Sequence, residues 1–552
     1  MATAMATATD TDMQTKLPTI HPVTTLLLCC FCATAFAQSV PGALPTTGSN
    51  TPASSGQVTP MAQDAASGMA STQDRTWVIK PRISLTETLT DNANINRTSN
   101  GKQSDAITQV APGIRIEART KRLNGYLDYA LNSQFYANQP DYNRNQNSLN
   151  AFATLEAIDN WLFLDFSGVI AQQSISAFGD QSTSNTAINN NSTETSTYRF
   201  SPHIRGQLGG TVDYLLRYTQ STTQSSNNTA SNVDVAQWTG QVNGSTPFQS
   251  LRWSVDANQQ TTDYSRGRKT DAEQARGLLN YALTPQFRLN VSAGRETNNY
   301  ASLDQQSHTT HGYGFDWNPT TRTKLSVFKE KRFFGNGHNI NFTHRFPMSS
   351  VSFTDTKNVS VLPNQFANAS LSNLYPQFAQ VCTQILGSSQ DQSLIDSCIL
   401  SILGDQTNTQ ANNSALNSRA TIQRQQQLSL ALFGARNTLT LMANRGENQS
   451  TLAGAANDDL STYSTINQQG LSLSLLHRLS ERSNLNLLGS RQESKGSGTT
   501  SIKTTTTLYQ VNFSTKLGAK TTGSLSARRS EFDSSANPYT ENALVGTVSF
   551  IY

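Results

Sequence analysis

The residues most able to perform chemistry are the histidines, and their spacing gives little support for a site. His308-Thr-Thr-His311 is the closest histidine pair. Residues three apart on a strand point to opposite faces, so this pair cannot chelate a metal ion from a strand. No Gly-x-Ser-x-Gly elbow occurs. Four other histidines lie in no catalytic or metal motif: His203, His338, His344 and His477. The sequence therefore predicts no enzyme activity, no cofactor and no metal site.

The cysteines indicate a disulfide. Three of the five lie in an N-terminal apolar run that export would remove, which leaves Cys382 and Cys398. A metal site would need two more ligands, whereas an even pair in an exported chain is typical of a disulfide formed outside the cytoplasm. We therefore predict that Cys382 and Cys398 are bonded to each other.

The N-terminal region has the features of a targeting segment followed by a linker. A basic residue precedes an apolar run from Val23 to Phe36, and Ala35-Phe36-Ala37 forms a small-x-small cleavage site. Two acidic residues before Met13 are unusual in such a leader, so translation could begin at Met13. Residues 1–37 are predicted to be a signal peptide. Residues 38–75, rich in Pro, Ser, Thr and Gly without periodicity, are predicted to be a disordered periplasmic linker.

Composition separates this chain from most soluble and nucleic-acid-binding proteins. Of 552 residues, 36% are apolar and 14% charged, both below globular averages, and the net charge is +4. A barrel with a water-filled lumen fits these values, because only every second residue of a strand meets lipid. Without a basic cluster, nucleic acid is not an expected partner. After the leader there is no apolar run of about 18 residues, so no helical span is expected.

The C-terminal stretch has the pattern of a lipid-facing strand. Read with period two, one face is apolar and includes Leu544, Val548, Phe550 and Tyr552, with Gly546 between them. A terminal aromatic at an apolar position resembles the signal by which outer-membrane barrels are recognised for assembly. Val548, Phe550 and Tyr552 are therefore predicted to form this signal, with the barrel assembly machinery as partner.

Period-two segments repeat from residue 76 to the end. In the clearest, Leu123–Phe135, apolar residues alternate with polar ones such as Asp128. The connections alternate between short and long; the long ones include Gln173–Thr193, Asn444–Thr465 and Ser490–Ser501. Short periplasmic turns and long external loops characterise outer-membrane barrels. We predict an all-β fold, a transmembrane antiparallel β-barrel of about 22 strands (range about 20–24) over residues 76–552, in a Gram-negative outer membrane among its lipids.

One insertion has a helical pattern instead. Within residues 362–416, Phe378–Leu386 and Leu394–Leu403 show apolar spacing of i, i+3, i+4, i+7, with Cys382 and Cys398 on the apolar faces. We predict a helical hairpin stapled by the disulfide. Loop parity makes it external, either a cap or a plug folded into the barrel mouth.

Inward strand positions are predicted to line a wet lumen. They carry charges of both signs and the aromatic residues Tyr126, Phe152 and Phe328. A polar lining of a water-filled pore is one interpretation, and a path on which sugars stack is the other. The predicted inward charges are Lys80, Arg82, Arg115, Glu117, Asp128, Arg205, Asp213, Arg217, Arg252 and Asp256.

Four motifs carry a family resemblance. Pro81–Asn92, Val110–Ile114, Trp317–Thr320 and Arg332-Phe333-Phe334-Gly335-Asn336 resemble a family of outer-membrane proteins associated with the PEP-CTERM/exosortase system. The resemblance implies a barrel that works with exopolysaccharide and protein-sorting machinery, as a channel or surface-assembly component for polysaccharide or sorted proteins. The alternative is a non-transporting structural barrel, or an adhesin with functional external loops.

The last of these motifs also has an interpretation from its residues alone. Asn336-Gly337 is typical of a tight hairpin turn, because both residues tolerate positive φ. On that interpretation, Phe333 and Phe334 are expected in the aromatic belt at the membrane surface.

Overall fold

A computed structural model describes residues 76–95, 101–226, 230–361, 415–452, 458–498 and 500–552. The predicted signal peptide with Ala35 and Ala37, the linker over 38–75, and most of the 362–416 insertion with Cys382 and Cys398 lie outside these ranges. Those predictions remain predictions.

Twenty-two antiparallel strands form one closed barrel, as the sequence predicted. Each strand pairs with the next along the chain, and β1 pairs with β22 to close the ring. The strands are β1 Trp77–Thr90, β2 Asp105–Arg119, β3 Leu123–Tyr136, β4 Arg144–Ile158, β5 Leu162–Ser174, β6 Ser192–Leu208, β7 Val212–Ser225, β8 Val233–Ser245, β9 Leu251–Tyr264, β10 Thr270–Thr284, β11 Phe287–Asn298, β12 Gln306–Thr320, β13 Thr323–Arg332, β14 Gly335–Arg345, β15 Ser349–Ser360, β16 Thr421–Phe433, β17 Asn437–Ser450, β18 Tyr463–Arg478, β19 Ser483–Gly498, β20 Ile502–Lys516, β21 Thr521–Ser534 and β22 Tyr539–Ile551.

Helix is rare in the described ranges. A 3₁₀ turn spans Pro140–Tyr142, and one short helix, α1, spans Asp459–Thr462. In the part of the chain that the structure describes, no helix is both long and apolar enough to cross a membrane.

The terminal strand closes the barrel with the register that its pattern requires. Leu85 lies opposite Val548, and Ile83 opposite Phe550. Leu544, Val548 and Tyr552 are 45%, 49% and 74% exposed, so the apolar face predicted for this strand points outward. An outward apolar face on a closed barrel is the surface that lipid covers in outer-membrane barrels.

The same alternation of faces holds around the ring. Large apolar side chains are exposed on the outside of most strands, including Leu471 and Leu473 on β18, whereas their neighbour Ser474 points inward and is buried. A belt of outward apolar residues therefore surrounds a mostly polar interior. This is the arrangement of a barrel that meets lipid outside and water inside.

Turns of two to five residues join the strands at one end, and longer loops join most of them at the other, which confirms the predicted alternation. We call the ends periplasmic and external, as in outer-membrane barrels. The predicted loops Asn444–Thr465 and Ser490–Ser501 were too long, because β17 continues to Ser450 and β19 to Gly498. Beyond the apolar belt both faces meet water, so the ladder of backbone hydrogen bonds continues after the apolar alternation has ended.

The prediction of a turn at Asn336-Gly337 was wrong. Both residues belong to β14, and the turn is Phe333-Phe334, followed by Gly335 with a φ of 99°. A residue without Cβ adopts this positive φ without strain, so the glycine determines where the chain reverses. The two phenylalanine side chains do not lie in an aromatic belt but pack against a buried cluster at the external rim, formed by Tyr300, Val359, Val361 and Ala420.

Candidate functional site: a loop folded into the barrel mouth

Residues 175–191, between β5 and β6, form a compact loop that we call the mouth loop. Its base is closed by the Ile175 amide, which donates to the Asn191 carbonyl at 3.0 Å. The side-chain amides of Asn191 and Gln181 both donate to the Ser176 carbonyl, at 2.9 and 2.8 Å. Short polar side chains that bond nearby backbone groups in this way fold a segment without helix or strand.

The mouth loop lies over the lumen rather than outside the barrel. The Arg144 guanidinium donates to the carbonyls of Asn185 and Ala187 at 2.8 and 3.0 Å, and the Tyr136 hydroxyl donates to the Thr186 carbonyl at 2.7 Å. Register places Tyr136 and Arg144 on the inner faces of β3 and β4. Side chains of the inner wall therefore hold the loop from within.

The near end of the mouth loop is bonded to the opposite side of the ring. Asp459, the first residue of α1, accepts hydrogen bonds from the Ser176 hydroxyl and the Ala177 amide, both at 2.7 Å. Phe178 packs edge-on against Tyr463, with ring centroids 4.8 Å apart. The mouth loop follows β5, whereas α1 follows β17, about half the ring away. These contacts therefore span the mouth.

Burial at this junction affects the Asp459 carboxyl group. Burial raises its pKa above the usual 3.8, and the hydrogen bonds from Ser176 and Ala177 offset only part of that effect. The neighbouring Asp458 also raises this pKa by charge repulsion. The closed mouth thus holds a carboxyl group that takes up a proton more readily than a solvated one.

The far end of the mouth loop contacts the loops on either side of the closure between β1 and β22. The Ile188 amide donates to the Ala93 carbonyl at 2.8 Å. The Asn537 side-chain amide donates to the Asp180 carboxylate at 2.7 Å, while burial raises the Asp180 pKa. Two small apolar clusters complete this contact: Ala93, Ile107, Tyr136 and Ile188, and Ile95, Ala187, Phe532 and Tyr539.

A second group of contacts joins external loops on another part of the rim. The Tyr264 hydroxyl, at the end of β9, donates to the Val361 carbonyl just after β15. Arg268 donates to the Ser302 carbonyl at 2.7 Å. In this loop, outside the strands, burial lowers the Arg268 pKa. The first contact thus links the external ends of β9 and β15, and the second joins two neighbouring external loops.

One wall of the lumen, β1 to β14, carries the predicted charges. All ten predicted residues occupy inward positions. Asp128 forms ion pairs with Arg82 at 2.5 Å and with Arg115 at 2.7 Å. Arg217 pairs with Asp165 at 2.8 Å. Such pairs join adjacent strands or strands separated by one other, and they line the lumen with fixed charges of both signs.

The other wall, β15 to β20, is almost uncharged. Its inward positions carry Ser, Thr, Asn, Gln and a few apolar residues, for example Gln425, Gln427 and Thr440. In these described strands the inward charges are Arg478 and Lys516, each the last residue of its strand at the periplasmic end. The lumen therefore has a charged wall facing a neutral wall of amides and hydroxyls.

Aromatic side chains lie on the charged wall. Tyr126 stacks on Phe152 with centroids 5.8 Å apart, and Phe163 stacks on His203 at 5.1 Å. The Arg205 guanidinium lies 4.2 Å from the centre of the Phe163 ring. Phe328, also predicted to face inward, is buried between neighbouring strands. Stacking on adjacent strands places the first two pairs in defined positions, which the sequence alone did not reveal.

The histidine pair and the Arg332 motif lie apart from the mouth loop. His308 lies opposite Glu296 on the inner face and His311 opposite Ala293 on the outer face, so the prediction of opposite faces is confirmed. Arg332 donates from Nε and Nη2 to Glu296 at 2.9 and 2.8 Å, and from Nη1 to Asn358 at 2.6 Å. Arg332 therefore ties β11, β13 and β15 together at the external end.

The sequence marked residues 173–193 as a long polar loop but did not show that it folds inward. The sequence does contain an indication of this inward fold. Two apolar pairs, Ala177-Phe178 and Ala187-Ile188, interrupt the Ser, Thr and Asn residues, and all four side chains are buried. Apolar pairs in a polar loop indicate that the loop packs against something.

Comparison with known proteins identifies no family. The sequence matches no family profile and no curated protein. Among solved structures, the chain is similar to the FrpB iron transporter from Neisseria meningitidis (F3-3 variant), at 10% identity and a TM-score of 0.47 over 87% of this chain and 82% of that one. It is also similar to the siderophore receptor PirA from Pseudomonas aeruginosa, at 8% identity and a TM-score of 0.41 over 86% and 80%. The strand pairing defines the class of the protein, a closed 22-stranded β-barrel of the outer-membrane type.

Proposed function

We propose that this protein is a gated outer-membrane conduit, or a surface-assembly component, for polysaccharide or sorted proteins, without enzyme activity. The observation that carries the proposal is the mouth loop, which spans a lumen lined by polar residues. A 22-stranded barrel encloses a lumen too wide to be filled by its own wall side chains. A permanently open lumen of this width would remove the permeability barrier of the outer membrane. Contacts across the mouth would preserve that barrier by keeping the lumen closed.

The contacts that hold the mouth loop suit a gate. Most are hydrogen bonds: Asp459 accepts from loop donors, and Arg144 and Asn537 donate to loop oxygens, with support from small apolar clusters. Hydrogen bonds can be exchanged for bonds to water or to a polar cargo at modest net free energy. A loop packed through a large apolar core could not leave its position so readily.

The two lumen walls suit a polymer rich in hydroxyl groups. Amides and hydroxyls on β15–β20 can donate to and accept from sugars without the strong attraction of a fixed charge. The stacked pair Tyr126 and Phe152 offers an aromatic face of the kind on which sugar rings pack. With the resemblance of the Arg332–Asn336 motif, these features support the proposed link to exopolysaccharide and PEP-CTERM/exosortase machinery.

Conductance in planar bilayers tests the proposal. The mature wild-type protein should be mostly closed, and a variant with residues 175–191 replaced by a short Gly-Ser linker should show large, long-lived openings that added polysaccharide reduces. Both proteins must first show barrel folding by heat-modifiable gel mobility. Folded protein that is silent in both forms would refute the conduit and favour the structural barrel or adhesin.

The biological assignment needs its own experiment. Deleting the gene should reduce surface polysaccharide or surface display of sorted proteins, and membrane fractionation should recover the protein with the outer membrane. Normal amounts of both surface products in the deletion strain would refute the link to that machinery.

A further inference from the structure

The external halves of the strands carry opposite charges on two sides of the barrel's outer surface. Outward positions of β13–β20 hold eight basic residues, which we call the basic face: Lys329, Lys331, Lys357, Arg424, Arg445, Arg491, Lys495 and Lys503. The same positions hold three acidic residues: Asp355, Glu447 and Glu493. The formal net charge of this surface is thus about +5, with histidine neutral.

On the side formed by β6–β10, the sign is reversed. Outward positions there hold five acidic residues and no basic residue in the described strands: Glu194, Asp234, Asp263, Asp271 and Glu273. Chance scatter of charges around a solvated rim would mix the two signs on both sides. The basic face is therefore a distinct surface with a preference for anions.

The basic face begins where the apolar belt ends. Across β16 to β18 the outward apolar row Leu428, Ala443 and Leu471 is followed one step higher by Gln426, Arg445 and Gln469. On the next strand, β19, Arg491 already stands in the row of Leu471. Arginine at this level lies where the acyl chains of a bilayer give way to the headgroups.

Two grooves lie under these arginines on the outer surface. One has a volume of about 440 Å³, with Phe353, Leu428 and Leu471 on its sides and Arg445 and Arg491 at its upper edge. The small side chain of Ala443 forms part of its floor. The shape offers apolar contact below and a net positive charge above, since Glu493 in the same lining is paired with Lys503.

The second groove, of about 920 Å³, lies beside the first. Gly489 and Ala527 leave space between larger neighbours such as Leu473 and Leu544. Arg529 lines the end of this groove nearer the external side. Together the grooves could accommodate several acyl chains of one lipid.

Two of the basic residues are available to bind. Arg424 pairs with Asp355 at 2.7 Å, and Lys503 with Glu493 at 2.9 Å. Arg445 and Arg491 are exposed and form no ion pair or side-chain hydrogen bond with any residue in the described ranges. A guanidinium group matches the fork of phosphate oxygens, so these two arginines suit phosphate groups.

We infer that the basic face and its two grooves bind a phosphorylated glycolipid of the outer leaflet, with the acyl chains in the grooves and the phosphates on Arg445 and Arg491. The inference rests on the proposed outer-membrane location but not on transport. It predicts that the lipid binds one side of the barrel, because the acidic side would repel the same phosphates.

The test uses the full mature protein, folded in detergent, with a phosphorylated lipopolysaccharide as probe and lipid retention measured by native mass spectrometry. The double variant Arg445→Gln with Arg491→Gln should retain the lipid at least tenfold less than wild type. Removing the phosphates from the lipid should cause a similar loss, and excess inorganic phosphate should compete only weakly, because it lacks acyl chains.

Arg295→Gln is the matched control, since Arg295 is an exposed, outward arginine on β11, outside the basic face and away from both grooves. It should retain lipid like wild type. Equal retention by the double variant, an equal loss in the control, or no effect of phosphate removal would overturn the inference. An absence of current in the bilayer conductance assay would refute the conduit but would not affect the inference of this lipid site.

Discussion

The contact between Asp459 and the mouth loop gives the most direct test of gating. Asp459→Ala removes the acceptor of two hydrogen bonds, from the Ser176 hydroxyl and the Ala177 amide. The substitution keeps α1 intact, because alanine is a good helix former. Cluster contacts between Phe178 and Leu460 also remain. We therefore expect the mouth loop to leave α1 more often than in the wild type, while the barrel stays folded.

The size of the expected change in the open-to-closed ratio follows from the hydrogen bonds that are lost. Hydrogen bonds to a charged group contribute about 1.5–3 kcal/mol each. The buried carboxylate also loses its own hydration, which the raised pKa of Asp459 reflects, so part of this free energy is already offset. A net loss of about 2–3 kcal/mol from the closed state raises the ratio of open to closed mouths about 30- to 140-fold.

Single-channel recording measures this ratio. Asp304→Ala is the control, because Asp304 is an exposed loop carboxylate with no side-chain hydrogen bond or ion pair in the described part of the chain. An open-to-closed ratio for Asp459→Ala within threefold of wild type, in protein shown to be folded, would refute the reasoning that this junction holds the mouth closed.

Three further predictions concern pH, rim stability and assembly. Burial raises the pKa values of Asp459 and Asp180 in the closed mouth, so protonation of these carboxyl groups at low pH stabilises closure. This contribution is lost as the pH rises through the raised pKa values. The open probability in bilayer recordings should therefore increase with pH, and a flat profile would contradict this. Arg332→Met leaves the 2%-exposed Glu296 carboxylate without its guanidinium partner and should cost about 3–5 kcal/mol in guanidinium unfolding. A change under 1 kcal/mol would show that the ion pair is dispensable. Tyr552→Ser should slow membrane assembly, measured by heat-modifiable mobility over time, and unchanged kinetics would argue against the terminal signal.

The barrel could be predicted from the sequence because lipid outside and water inside impose period two on every membrane-crossing strand. Leu471, Leu473 and Leu475 show this directly. The strand ends could not be predicted, since Asn444–Ser450 has polar residues on both faces and gives no alternation. Register is fixed by backbone pairing there, not by a difference between two solvents.

The candidate site could be predicted only in part. Inward charges such as Asp128 and Arg217 followed from strand parity. The hydrogen bonds that connect the mouth loop with Asp459 and with Asn537 link residues more than 280 and 350 positions apart. No local pattern determines such contacts, because they depend on how the closed ring brings distant loops together.

Site-directed spin labelling along β18 tests most directly whether lipid meets the outward face of each strand. With Cys382 and Cys398 replaced by serine, labels at positions 471–475 are compared for collision with oxygen and with a water-soluble nickel complex in bilayers. We predict that labels at 471, 473 and 475 favour oxygen, and that those at 472 and 474 do not. Equal accessibility at all five positions would contradict the account.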